Sequence, residues 1–100
     1  MDDRLWRQHL QATFPASCRG HDVDGIDLTT LDADAAGCLK TYFDLGRAVT
    51  VGHVAILGRC YHDLGIVHRR LTGDARVYFH RLEQVAGTVL EVLSSTGFEA

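Results

Sequence analysis

Six histidines and three cysteines are the side chains of this 100-residue chain best suited to hold a metal ion or move a proton. Cys18 and His21, in the order C-x-x-H, have a spacing compatible with a transition metal, and a third ligand would complete a zinc site. Cys60 and His62 do not, because two residues apart on a helix they point some 200° away from each other. Cys38 and Cys60 lie on apolar stripes, where a free cysteine usually acts as a small buried hydrophobe. His53 and His68 both fall inside the apolar arc of one long helical stretch, and His9 does the same nearer the start of the chain. The ordinary reading of such a histidine is a boundary residue with one ring nitrogen bonded and the other wet. The functional reading is an acid–base or ligand-binding group that changes charge near neutral pH. His53 and His68 stand about 22 Å apart along a helix axis, so they do not make one site by themselves.

Other constellations carry less. The run H-D-V-D-G-I-D-L-T-T-L-D-A-D is acid-rich, but aligning Asp24-Gly25 on the turn of a calcium loop puts Gly20 and Leu31 at its first and twelfth positions, where acids are required. Turn-formers and helix-capping acids explain it better. There is no G-x-S-x-G, no G-x-G-x-x-G and no G-x-x-x-x-G-K-[ST] in the chain, so neither a hydrolase elbow nor a nucleotide cofactor is signalled, and no cofactor is expected. His68, Arg69, Arg70, Arg76, His80 and Arg81 gather around one turn, a mildly basic tip diluted by Asp74.

These residues need elements to position them. Val54, Leu57, Tyr61, Leu64 and Leu71 recur at helical spacing and predict a helix over about 50–71, the element around which the rest packs. Gly58 and Gly65 edge its apolar arc, where a neighbouring helix could come close. Thr72-Gly73-Asp74 supplies a stop, a left-handed glycine and a new start. So short a link forces the next helix, about 75–93, to run back antiparallel. Ala75, Tyr78, Phe79, Leu82, Val85, Ala86, Val89, Leu90 and Leu93 give that helix the widest apolar face in the chain, with Arg76, His80 and Glu83 opposite. Upstream, Leu31, Ala35, Cys38, Leu39, Tyr42 and Leu45 form a third stripe. Thr29 or Thr30 is expected as its N-cap, Asp32 and Asp34 in its first turn and Gly46 after its end. A first helix is expected from Asp2 to Phe14, stopped by Pro15. Gly25 to Leu28 reads as an extended lead-in, Arg47 to Val49 as a link and Ser94 to Ala100 as a frayed tail. The expected architecture is all-α: a small four-helix, bundle-like single domain, residues 1–100, with the 50–71 and 75–93 hairpin as its spine.

Composition sets the outer bounds. A hydrophobic content of 46% with 23% charged residues is the profile of one globular domain. A net charge of -3 argues against a protein held on nucleic acid by basic excess. A weak contact at the tip, through Arg69, Arg70, Arg76 and Arg81, is the lesser alternative; the two helices are too long and too tightly joined for a helix-turn-helix. An odd number of cysteines without C-x-x-C, an acidic start without an apolar leader and no run long enough to span a membrane predict a cytoplasmic protein with reduced thiols. The leading functional expectation is a protein-interaction or self-associating module, a homodimer with Phe43 or Ile66 at the contact, since both lie off the main stripes. The rival is a small-molecule or metal-binding protein, an enzyme being one form of it, using His53, His68 or the Cys18/His21 pair.

Overall fold

The computed structural model describes residues 3–45 and 49–95. Asp2, Gly46, Arg47, Ala48 and the tail beyond residue 95 lie outside the described residues.

The chain opens with α1, Arg4–Leu10, which ends earlier than Pro15 alone would require. Gln11 and Ala12 make tightened i→i−3 bonds to Gln8 and His9 (3.2 and 3.0 Å). Phe14 then turns inward, edge-on to the rings of Tyr78 and Phe79. A single 3₁₀ turn, Ala16–Cys18, buries Cys18.

The lead-in expected over Gly25 to Leu28 supplies the second strand of a minimal hairpin, and Leu28 already opens the next helix. β1, Asp22–Val23, pairs antiparallel with β2, Ile26–Asp27, in the register Val23 to Ile26. Asp24 and Gly25 make its two-residue turn with φ of 52° and 81°. Left-handed geometry at both positions suits an aspartate–glycine pair.

α2, Leu28–Leu45, starts directly after the hairpin. Its cap is Asp27, whose Oδ1 accepts from the Thr30 amide at 2.9 Å, rather than Thr29 or Thr30. Asp32 and Asp34 therefore sit one turn further in than expected.

α3, Val51–Arg69, is the helix expected over 50–71. Thr50 is its N-cap: Thr50 Oγ1 accepts from the His53 amide (3.2 Å), and the Thr50 amide donates to His53 Nδ1 (3.1 Å). The reciprocal pair satisfies two amide donors that the first turn would leave bare. Gly73, at φ 60°, opens α4, Gly73–Ser95, which runs two residues past the expected end.

α3 and α4 form the most extensive packing, α2 lies against both, and α1 lies across α4. The core between them is continuous: Leu39, Leu64, Val67, Phe79, Leu82, Ala86 and Val89 are fully buried. The all-α, bundle-like fold is thus observed, the hairpin of two-residue strands being the only sheet among the described residues. No described helix is long and apolar enough to cross a membrane. One member of the expected apolar arc differs: Tyr61 is 43% exposed and lies against α4 rather than under it.

Candidate metal centre

The seam between α3 and α4 repeats with a regular step. His68 faces His80, their rings stacked at 4.5 Å and 25°. Three residues back along α3 and three forward along α4, Gly65 faces Glu83; a β-carbon on Gly65 would lie 3.0 Å from Glu83 Oε2. Four further on each side, Gly87 faces Tyr61; a β-carbon there would meet the Tyr61 ring at 2.8 Å. A small residue therefore stands opposite a large one at two successive levels, which is how facing helix surfaces interdigitate. Gly58, also expected to mark a close approach, has open space beside it.

At the upper level of this seam, His68, His80 and Glu83 converge. Glu83 Oε1 lies 3.0 Å from His68 Nε2 and 3.9 Å from His80 Nε2. One ligand atom from each residue can be chosen so that all three lie within 4.8 Å of one another, the only such trio among the described residues. The side chains grade outward: His68 is 9% exposed, Glu83 16% and His80 49%. One imidazole is thus fixed by the core, the carboxylate is wedged beside Gly65, and the other imidazole is half-exposed at the surface, stacked on the first.

Burial holds the His68 imidazole below its usual range; the Glu83 carboxylate pulls the other way, while His80, Arg69 and Arg76 add to the lowering. An acceptor at 3.0 Å assigns the His68 proton to Nε2, which donates to Glu83. Its Nδ1 is buried and has no hydrogen-bond partner.

Two imidazoles and a carboxylate are the ligand set of many catalytic zinc sites and of ferrous facial triads. Bond lengths near 2.1 Å place zinc ligands roughly 3.3 Å apart. Glu83 Oε1 and His68 Nε2 already stand near that spacing at 3.0 Å, while Glu83 Oε1 and His80 Nε2, at 3.9 Å, would have to close by about half an ångström. With Nε2 used as a metal ligand, the neutral His68 ring would carry its proton on Nδ1, which has no hydrogen-bond partner. Lacking the outer partner that usually orients a ligating histidine, the site is expected to bind about 10–100-fold more weakly than a fully supported one.

The other expected site residues are placed as follows. His53 is committed to the α3 cap and lies far from His68. Cys18 is buried and His21 exposed on the rim of a cleft of about 300 Å³, and among the described residues no third ligand joins them. Cys60 has its thiol pushed up to about 11 by burial and neighbouring acids, and burial with Asp34 also raises Cys38, so neither supplies a thiolate at neutral pH. Phe43 is half-buried and stacks on Trp6 at 5.5 Å, and Ile66 is half-buried on α3. The basic tip is divided. Arg70 pairs with Asp24 (3.4 Å), Arg69 Nη1 donates to the Gly65 carbonyl (2.9 Å), and Arg81 Nε donates to His9 Nδ1 (3.1 Å).

The sequence places His80 only in the basic tip and Glu83 in no candidate site, because a single-helix projection puts both on the face of α4 opposite its apolar stripe. The usable signal was H-x-x-E at i, i+3 on α4, combined with a hairpin that folds His68 back to the level of His80. No protein-family model matches the chain, and neither a curated protein nor a solved structure matches it.

Proposed function

We propose that this protein binds a divalent transition metal, zinc or ferrous iron, at His68, His80 and Glu83. The observation that carries the proposal is the convergence of two imidazoles and one carboxylate from two helices of one hairpin, within 4.8 Å of one another. The adjoining structure supports it. Gly65 leaves room for the carboxylate, and the buried His68 is kept in the unprotonated form that a metal requires. With only three protein ligands, the ion keeps at least one position for water or another ligand.

Titration with Zn²⁺ and with Co²⁺ as its spectroscopic surrogate tests this. One ion per chain is expected, with a Co²⁺ visible band of low-coordinate type and a rise in melting temperature that grows with metal concentration. His80→Ala and Glu83→Gln are expected to keep the fold and lose the ion. Stoichiometric binding unchanged in both variants, or no binding by the parent chain, would overturn the reading.

A further inference from the structure

The charges around this centre say what its open position favours, an inference that rests on the metal reading above. Arg76, His80 and Glu83 follow one another at i, i+4 and i+7 on α4, one face of that helix. Across the seam, Gly65, His68 and Arg69 occupy one turn of α3. Arg69 Nη1 donates to the Gly65 carbonyl and lies 3.6 Å from the point where a Gly65 β-carbon would stand; Glu83 Oε2 lies 3.0 Å from that same point. Arg69 Nη1 and the Glu83 carboxylate thus both border the space beside Gly65, and Arg76 stands exposed on α4 one turn before His80. Among the described residues Glu83 is the only anion whose charge acts on His68.

A divalent ion held by one carboxylate and two neutral imidazoles keeps a net charge of +1. Adding Arg69 and Arg76 makes the local charge positive, and among the described residues no second carboxylate acts on His68. Two guanidinium groups flanking an ion with an open position are matched best by a dianionic oxyanion, which can coordinate the metal through one oxygen and accept charge-assisted hydrogen bonds through the others.

We infer that the metal centre takes phosphate, free or as a phosphate monoester, as its exchangeable ligand, clamped between the ion and the Arg69 and Arg76 side chains. Glu83 also borders an open groove of about 440 Å³ that runs along α4 past Tyr61, Gln84 and Thr88, where the organic part of an ester would lie.

The test uses the Co²⁺-loaded full chain, titrated with inorganic phosphate, then with phenyl phosphate, and with acetate as a monoanionic control. Phosphate is expected to shift the visible band saturably and to bind at least about tenfold more tightly than acetate. Arg69→Gln and Arg76→Gln are each expected to weaken phosphate binding by about tenfold or more, while Co²⁺ affinity stays equal or rises as a nearby positive charge is removed. Tighter binding of phenyl phosphate than of phosphate assigns the ester; the reverse order assigns the free ion; either supports the clamp. Phosphate affinity unchanged in both arginine variants overturns it, as does Co²⁺ uptake without any phosphate response. Failure of Co²⁺ uptake by the parent chain brings down the metal reading and the clamp together, an outcome distinct from both.

Discussion

Gly65 and Glu83 face each other across the α3–α4 hairpin so closely that a single methyl group on Gly65 would press on the carboxylate from 3.0 Å. Glycine inside a helix costs about 1 kcal/mol relative to alanine, so this position trades helix stability for space beside a candidate ligand. Gly65→Ala is therefore expected to leave the melting temperature unchanged or slightly raised, while Zn²⁺ affinity falls as Glu83 is pushed from its place by a few tenths of an ångström. Calorimetric titration beside a thermal melt separates the two effects. Parallel losses of stability and affinity would show that Gly65 serves only to pack the hairpin.

Tyr78 ties the start of α4 to the start of α2 by donating its hydroxyl hydrogen bond to Asp32 Oδ1 at 2.6 Å. Burial raises the Asp32 carboxyl, an effect the Tyr78 hydrogen bond partly opposes; burial and then that same bond push the Tyr78 hydroxyl well above its usual range. Tyr78→Phe leaves a half-buried carboxylate without this partner and is expected to cost about 1–3 kcal/mol. Pairing it with Asp32→Asn in a double-mutant cycle should give clear coupling between the two sites. Additive effects would mean the bond contributes nothing beyond packing.

The two features just described differ in how far the sequence announces them. The hairpin that carries Gly65 is legible in Thr72-Gly73-Asp74 and in the apolar stripes on either side, because turn chemistry and helical period are local signals. The bond between Tyr78 and Asp32 is not, since it joins residues 46 apart in sequence. The metal trio falls between these cases. A helical projection treats each helix alone and assigns His80 and Glu83 to solvent, yet the edge of that face meets the edge of α3. Gly65 was legible as a point of close approach, whereas Gly87, the partner of Tyr61, was not. Asp24-Gly25 is a readable hairpin turn, but the extended lead-in expected over Gly25 to Leu28 begins inside it, because four alternating residues make no independent sheet. His53 was legible as a histidine on an apolar arc, but its role comes from Thr50 three residues earlier, a capping pattern more often completed by glutamate or glutamine.

Phe43, a candidate for a contact between copies of the chain, is half-buried and stacks on Trp6 with the two rings only 10° from parallel. It also meets Tyr42 edge-on at 5.1 Å. Removing a half-buried ring with these neighbours is expected to cost about 1–3 kcal/mol, below the 3–5 of a fully buried phenylalanine. Phe43→Ala should accordingly shift the chemical denaturation midpoint, with no change in mass by light scattering. A fall from dimeric to monomeric mass, with stability preserved, would restore the ring to an interface.

His9 makes the clearest pH prediction. It is 4% exposed, its Nδ1 accepts from Arg81 Nε, and its ring lies against Tyr78 and Trp6. Protonation would place a second cation beside Arg81 in a site with little water. Burial, reinforced by the Arg81 charge, accordingly lowers its pKa from 6.5 to about 4. The unfolded chain then binds more protons than the folded one between those two values, so stability rises with pH across that window and levels off above it. Below about pH 4 the full penalty applies, on the order of 3 kcal/mol. His68, also lowered, acts in the same direction. Carboxylate titrations overlap this range but are shared by a variant, so the comparison that isolates His9 is the parent chain against His9→Gln, whose amide oxygen can still accept from Arg81. Urea unfolding at pH 7.5 and pH 4.5 should show the variant losing about 2–3 kcal/mol less than the parent over that interval. Equal losses in both proteins would mean that His9 already carries its proton in the folded state, and the Arg81 contact would have to be reassigned.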